Sequence, residues 1–166
     1  MGDAKVLNEP DWERRLSDCL PLFGHRNWIV VADSAYPAQS SPGIETLVAP
    51  ASQIEVVHAV VEAISASKHV KALVHLDREI TYVSERDASG IAAYRRQLEG
   101  ILSGVQVDWI PHEEIISRLD QSARVFRILI IKTPMTIPYT SVFFELDCRY
   151  WSAEAEQRLR KSMQVQ

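Results

Sequence analysis

The sequence predicts an α/β fold, in which helices flank a mostly parallel central sheet within a single layered domain. One observation is the continuous apolar run Ile29–Ala32, which is typical of a strand covered on both faces. A second is that further β-rich apolar segments alternate along the chain with segments of helical periodicity. Such alternation favours helices packed against a parallel sheet. A third is the length of 166 residues, without a linker, internal repeat or low-complexity tract, which predicts one domain.

The first half of the chain is predicted to form two helices and three strands. Apolar residues recur at helical spacing after Pro10, a residue that the first turn of a helix accepts, and this helix stops before Gly24. Ser52 is placed as the N-cap of the second helix, which runs to about Ala66. The face predicted to be buried on that helix contains Ile54, Val57, His58, Val61 and Ile64. The predicted strands are Trp28–Ala32, Ile44–Val48 and Val70–Leu76.

The second half continues the alternation and ends in a charged helix. The predicted helices are Glu85–Leu102, a short helix opened by Pro111 with Ile115, Ile116 and Leu119 inward, and one capped by Ser152 that runs to about Met163. The predicted strands are Val105–Ile110, Val125–Lys132 and Tyr139–Asp147, with a turn-rich break at Thr133–Pro138. Trp28 and Trp109 are predicted to be core residues. We therefore expect a domain over residues 1–166 with a C-terminal helical extension at about 152–166.

Composition and charge exclude several classes of protein. The chain is 46% hydrophobic and 24% charged with a net charge of -4 and no basic stripe, which argues against nucleic acid as a partner. Cys19 and Cys148 form no C-x-x-C pair, so neither a metal site nor a disulfide framework is predicted. Met1–Pro10 is polar, and no run approaches the ~20 apolar residues of a membrane span. A cytoplasmic protein without a membrane partner is expected.

The candidate functional residues stand at the ends of predicted elements. Gly24 allows a sharp turn, His25 precedes the apolar strand, and Asp33 follows it. His112 and Tyr139 also lie at element ends, where ligand sites of α/β folds usually form. Glycine-rich phosphate loops and nucleophile elbows are missing from the sequence. Histidine, aspartate and tyrosine can transfer protons near neutral pH without a cofactor. No cofactor is therefore predicted.

Three blocks of sequence resemble the RbsD/FucU family of D-ribose pyranases and L-fucose mutarotases. The first block is Gly24-His25 with the following strand, Asp33 and Tyr36–Ser40; the others are Val105–Ile116 and Arg127–Asp147. Their order and spacing agree with the family over roughly residues 10–148. The resemblance implies an RbsD-like fold and an isomerase that opens a monosaccharide ring by acid–base chemistry.

The resemblance also implies a role for five residues. His25 matches the catalytic general acid of the family, and Asp33 matches a ligand of the sugar hydroxyls. His112 matches the substrate histidine of the pyranase branch, and Tyr139 opens a Tyr-x-Asn substrate segment whose Asn is replaced here by Ser141. The family's Gly-Glu turn before the Tyr is also replaced, by the longer and stiffer Thr133–Pro138. Arg26 and Tyr36 are second choices for the site, and His58, His69 and His75 are interpreted as structural.

Spacing places a constraint on this site. His25 and Asp33 are eight residues apart, and an extended chain of that length spans ~26 Å, more than one monosaccharide. Either the chain bends sharply at Gly24, or one site takes the two residues from different subunits. The resemblance implies rings of five subunits that often stack as ten, so we predict a homo-oligomer with the site at a subunit interface.

The residues leave both the activity and the sugar open. The leading interpretation is a mutarotase or pyranase; the alternatives are a non-catalytic sugar-binding or assembly protein of the same fold, or another isomerase or lyase step on an open-chain sugar. The changed Thr133–Ser141 segment motivates the binding protein. His112 resembles the ribose branch, whereas Tyr36–Ser40 and the basic helix around Tyr94-Arg95-Arg96 resemble the fucose branch.

Overall fold

The computed structural model describes residues 11–165, which form a six-stranded sheet between two layers of helices. In chain order the strands are β1 (Trp28–Ala32), β2 (Ile44–Val48), β3 (Val70–Asp77), β4 (Val107–Ile110), β5 (Ile128–Lys132) and β6 (Val142–Cys148). The helices are α1 (Asp11–Cys19), α2 (Gln53–Ala66), α3 (Ile91–Ile101), α4 (His112–Ala123) and α5 (Ala153–Met163). Short 3₁₀ helices cover Leu20–Leu22 and Arg78–Thr81.

The sheet is parallel except for one strand. The strand order is β2-β5-β1-β6-β3-β4, and β6 runs antiparallel to both of its neighbours. The pairs β1–β5, β2–β5 and β3–β4 are parallel. Because the five other strands share one direction, their carboxyl ends meet at one edge of the sheet, beside the start of β6. The predicted α/β fold with a mostly parallel sheet is confirmed.

Two hydrophobic cores lie on opposite faces of this sheet. Residues of α1, α2 and α3 cover one face, and Ile115, Leu119 and Ala123 of α4 cover the other. All five residues of β1 are buried, because that strand is central and has helices on both sides. Helix α5 has no buried residue.

Several predicted elements are observed close to their predicted bounds. The strands Trp28–Ala32 and Ile44–Val48 are confirmed, and Val70–Leu76 extends by one residue to Asp77. Ser52 caps α2 as predicted, within a capping box in which its hydroxyl accepts from the Glu55 N–H and the Glu55 carboxylate accepts from the Ser52 N–H. Pro10, predicted to open α1, lies outside the described residues.

The predicted helix Glu85–Leu102 begins too early, since α3 starts at Ile91. Gly90 has φ +94°, a left-handed conformation that glycine accepts. The Glu85 side chain accepts hydrogen bonds from the N–H groups of Gly90 and Ala92, at 2.6 and 3.1 Å. Glu85 is therefore a capping residue that precedes the helix.

Three predicted strands also begin later than expected: the segments Val105–Ile110, Val125–Lys132 and Tyr139–Asp147 start at Val107, Ile128 and Val142. In the second case Val125 is 78% exposed, so its apolar side chain belongs to the turn after α4. In the third case Tyr139 has φ +60°, which is incompatible with a strand.

Two predictions of burial are wrong. The buried face of α2 contains Gln53, Val56, Val57, Val60 and Ile64, so the predicted face was rotated, and His58 is exposed beside Glu62. Trp109 is 43% exposed because β4 is an edge strand, whereas the prediction for Trp28 is correct.

Candidate active site

A cavity of about 360 Å³ opens at the carboxyl edge of the parallel strands. Asp33 follows β1, Asp77 ends β3, and Tyr139 precedes β6. His112 begins α4, separated by one residue from the end of β4. These four residues line the cavity, together with Tyr36, Gln39 and neighbouring residues. The chain topology therefore brings three of the predicted site residues, Asp33, His112 and Tyr139, into one cavity.

Ser141 connects the start of β6 to Asp33. Its hydroxyl donates to Asp33 Oδ1 at 2.8 Å and accepts from the Asp33 N–H at 3.2 Å. Because β1 and β6 are antiparallel neighbours, the end of one strand lies beside the beginning of the other. Ser141 is thus joined to the other predicted site residues, but its hydroxyl is engaged with Asp33.

His112 is held from two directions. Its backbone N–H donates to the Glu79 carboxylate at 3.0–3.1 Å, and its ring Nδ1 lies 2.9 Å from Asp77 Oδ1. Since a carboxylate only accepts, the second contact places a proton on Nδ1 and leaves Nε2 as the second polar atom of the ring.

The ionisation of the two side chains is coupled. The hydrogen bond to Asp77 raises the pKa of His112, and burial raises the pKa of the Asp77 carboxyl. Both shifts favour the protonated forms, because the imidazolium gains a partner and the carboxylate loses water. His112 is therefore more readily protonated near neutral pH than a free histidine.

Tyr139 adopts a backbone conformation that is unusual for a large side chain. Its φ of +60° lies in the left-handed region, and its ring stands edge-on to His112 with centroids 5.8 Å apart. Bulky residues in this region carry strain, which is frequent at functional sites. The conformation turns the chain sharply into β6, and the Tyr139 side chain stays 40% exposed at the cavity.

A buried hydrogen-bond network supports this turn from the other face of the sheet. Gln53 donates to the carbonyls of Val31 and Thr140, at 3.1 and 2.9 Å, and accepts from the Thr133 hydroxyl at 2.5 Å. The Tyr94 hydroxyl also donates to the Thr140 carbonyl, at 2.6 Å. Since Thr140 lies between Tyr139 and Ser141, the network fixes the segment that carries both side chains.

His25 lies at the opposite edge of the sheet from the cavity. It precedes β1, and its Nδ1 is 2.8 Å from Oδ1 of Asp147, near the end of β6. The side chain of His25 is 59% exposed. Strand β1 has five residues, so it separates His25 from Asp33 by roughly 16 Å along the strand alone. Within one subunit the structure does not bring His25 together with Asp33, His112, Tyr139 or Ser141.

Asp77, which contacts His112, and Asp147, which contacts His25, were not predicted as site residues from the sequence. Asp77 is the last residue of β3 and directly follows the predicted strand Val70–Leu76, as Asp33 directly follows Trp28–Ala32. Asp147 gave no local signal, because its partner His25 is 122 residues away in the chain. Only the antiparallel placement of β6 next to β1 brings them together.

Other candidate residues have local roles. His69 Nε2 is 3.0 Å from the carbonyls of Leu20 and Phe23, and the Arg26 guanidinium lies over the Phe126 ring. His75 is fully buried, stacks on Trp28 and lies 2.7 Å from Glu145 Oε2.

No group of three metal-ligating side chains is arranged around a common point within residues 11–165. Over the same residues, every helix is too short or too polar to cross a bilayer.

The structure is an α/β fold with a cavity, lined by Asp33, Asp77, His112 and Tyr139, where the parallel strands end. Solved structures share this fold. Bacillus subtilis RbsD in complex with D-ribose is 20% identical, with a TM-score of 0.59, and the alignment covers 89% of this chain and 98% of that chain. Streptococcus pneumoniae fucose mutarotase in complex with L-fucose is also 20% identical (TM-score 0.52; 84% and 92% covered), and Bifidobacterium longum FucU is 13% identical (TM-score 0.56; 80% and 92% covered).

The match to a family model identifies the family of this chain, whereas the structural neighbours, at 20% identity or less, show only its fold. The chain belongs to the RbsD / FucU transport protein family, whose model matches residues 4–148. The family resemblance inferred from the sequence is thereby confirmed. None of the curated protein sequences compared gives a significant match. Helix α5 lies beyond the matched residues.

Proposed function

We propose that the protein is a cofactor-independent monosaccharide mutarotase or pyranase. The observation that carries the proposal is that Asp33, His112 and Tyr139, from three separate segments, line one cavity. Membership of the RbsD / FucU family supports the same reaction class, since structural neighbours solved with a sugar include an RbsD and a fucose mutarotase.

The reaction interconverts anomers or ring forms of one sugar. Ring opening requires a proton on the ring oxygen and removal of a proton from the anomeric hydroxyl, and closure reverses both transfers. His25 is the proposed acid–base group, because Asp147 occupies its Nδ1 and leaves Nε2 to exchange a proton. Asp33, His112, Tyr139 and Ser141 are the proposed sugar-binding residues.

One subunit cannot supply this whole set to one sugar, since His25 and the cavity lie at opposite edges of the sheet. We therefore infer a site shared between subunits, in which the exposed His25 of one chain closes the cavity of the next. A pentamer or a decamer is the proposed assembly. The experimental criterion is direct: a monomer that still turns over sugar contradicts the shared site.

One observation favours a binding protein instead. The Ser141 hydroxyl is hydrogen-bonded to Asp33 Oδ1, so one oxygen of the proposed sugar ligand is already engaged. In this alternative the cavity binds a sugar but does not accelerate its ring opening.

Saturation-transfer NMR on the anomers of D-ribose and L-fucose tests the proposal. The wild type is compared with His25→Ala and with His58→Ala, a matched control because His58 is also exposed and also lies beside a carboxylate. We expect one sugar to exchange faster with the wild type and the control, and a loss of about 10²–10⁴-fold with His25→Ala. Sugar binding without faster exchange would instead establish the binding protein.

A further inference from the structure

The cavity contains an unusual concentration of buried polar atoms without a partner. Within residues 11–165, four buried side-chain polar atoms make no hydrogen bond: Tyr36 Oη, Gln39 Oε1, Asp77 Oδ2 and His75 Nδ1. The first three belong to residues that line the cavity at the carboxyl edge. Buried polar atoms are nearly always paired, because leaving one unpaired costs free energy. Three such atoms in one cavity indicate a ligand that supplies their partners.

Asp77 is the most demanding member of this set. Its side chain is 1% exposed, and only Oδ1 is bonded, to His112 at 2.9 Å. Burying a carboxylate with one oxygen that makes no hydrogen bond costs free energy of folding. The carboxylates of Asp33 and Glu79 repel the Asp77 charge and the imidazolium of His112 attracts it.

We propose that Asp77 is a sugar-binding residue, whose Oδ2 accepts a hydrogen bond from a ligand hydroxyl while Oδ1 positions His112. The Tyr36 hydroxyl and the Gln39 amide oxygen contribute the other open contacts. The inference rests on the proposed function, because it assigns the ligand of the same cavity, but it requires binding only and no turnover.

The chemistry of the three atoms specifies what the ligand offers. Asp77 Oδ2 and Gln39 Oε1 are acceptors, so each needs a donor, whereas the Tyr36 hydroxyl can donate or accept. A molecule with several neighbouring hydroxyl groups meets all three requirements. His112 lies beside Asp77, so a hydroxyl bound to Oδ2 also comes within reach of the His112 ring.

The test compares wild type with Asp77→Asn, which keeps the shape and an acceptor for His112 but removes the charge. Asp108→Asn is the matched control, since Asp108 is a half-buried aspartate on the neighbouring strand β4 that does not line the cavity. Isothermal titration calorimetry measures the affinity for D-ribose and for L-fucose. Proton NMR follows the titration of His112, and the melting temperature reports on the stability of the protein without sugar.

We expect Asp77→Asn to weaken sugar binding by about 10- to 100-fold, the loss of one hydrogen bond to a charged group. His112 should titrate at lower pH in this variant, and the melting temperature should not fall, because a buried charge has been removed. A purely structural aspartate would give the reverse: lower stability with affinity unchanged.

Three outcomes overturn the proposal that Asp77 binds the sugar. They are an affinity of Asp77→Asn within about twofold of the Asp108→Asn control, an unchanged titration of His112, and a wild type that binds neither sugar. If Asp77→Asn does not fold, Tyr36→Phe decides, because it removes one unpartnered hydroxyl and should weaken binding without loss of stability. Sugar binding that depends on Asp77 without anomer exchange supports this inference and refutes only the proposed enzymatic function.

Discussion

Replacing Gln53 with methionine should destabilise the protein and loosen the candidate site together. Gln53 is 2% exposed, and its amide makes three hydrogen bonds, to Val31, Thr133 and Thr140. Methionine has a similar volume and no amide, so the change removes these bonds without opening a large cavity. The Thr140 carbonyl keeps only its bond from Tyr94.

The size of the effect follows from the number of bonds. Three hydrogen bonds at a net ~1 kcal/mol each predict a loss of about 3 kcal/mol in the free energy of unfolding. For a chain of this size that corresponds to a fall of about 6–12 °C in melting temperature. Sugar affinity should fall as well, since Tyr139 and Ser141 flank the residue that Gln53 holds.

Urea unfolding at a fixed protein concentration measures the loss of stability, and calorimetric titration with the sugar measures the loss of affinity. Gln157→Met is the control, because Gln157 is exposed on α5. If Gln53→Met lowers the free energy of unfolding by less than about 0.5 kcal/mol, as ordinary surface substitutions do, the supporting role of this network is refuted.

Two further predictions concern the shared site and the packing beside β2. The variants His25→Ala and Asp33→Asn should each be inactive alone. When equal amounts are mixed and the subunits exchange, about a quarter of wild-type anomer exchange should return, because about a quarter of the interfaces join an intact His25 to an intact Asp33. No recovery in a verified mixed oligomer contradicts the shared site. Gly43→Ala should cost about 1–3 kcal/mol in urea unfolding, since the added Cβ would lie 2.8 Å from the Ala123 carbonyl oxygen. Gly100→Ala, with open space in helix α3, should stabilise by up to about 1 kcal/mol; equal effects of the two changes would refute the packing argument.

Periodicity in the sequence was sufficient to predict most elements of the fold. The strand at Trp28–Ala32 and the N-cap at Ser52 depend on neighbouring residues only, and both predictions are correct. Two of the errors lie where a backbone conformation or a cap overrides the hydrophobic pattern. Tyr139 has positive φ, and Glu85 caps a helix that begins six residues later. Neither effect has a signature in local hydrophobicity.

The candidate site was predictable in part. Asp33, His112 and Tyr139 were recognised at element ends, and the structure places all three at one cavity. Asp77 follows its predicted strand as Asp33 does, but it is not among the predicted site residues. Gln53 could not be identified, because a single glutamine at the start of a helix is usually exposed. It is buried here because α2 packs over β1 with this face inward.

The alternation of strands and helices, the family, and the titratable residues at element ends are all predictable from residue types and short spacings. Which of those residues lie together depends on how the sheet is assembled. The direction of β6 pairs Asp147 with His25 at one edge and Ser141 with Asp33 at the other. Contacts across more than a hundred residues depend on strand order and direction, because packing of the whole sheet selects them and local sequence does not.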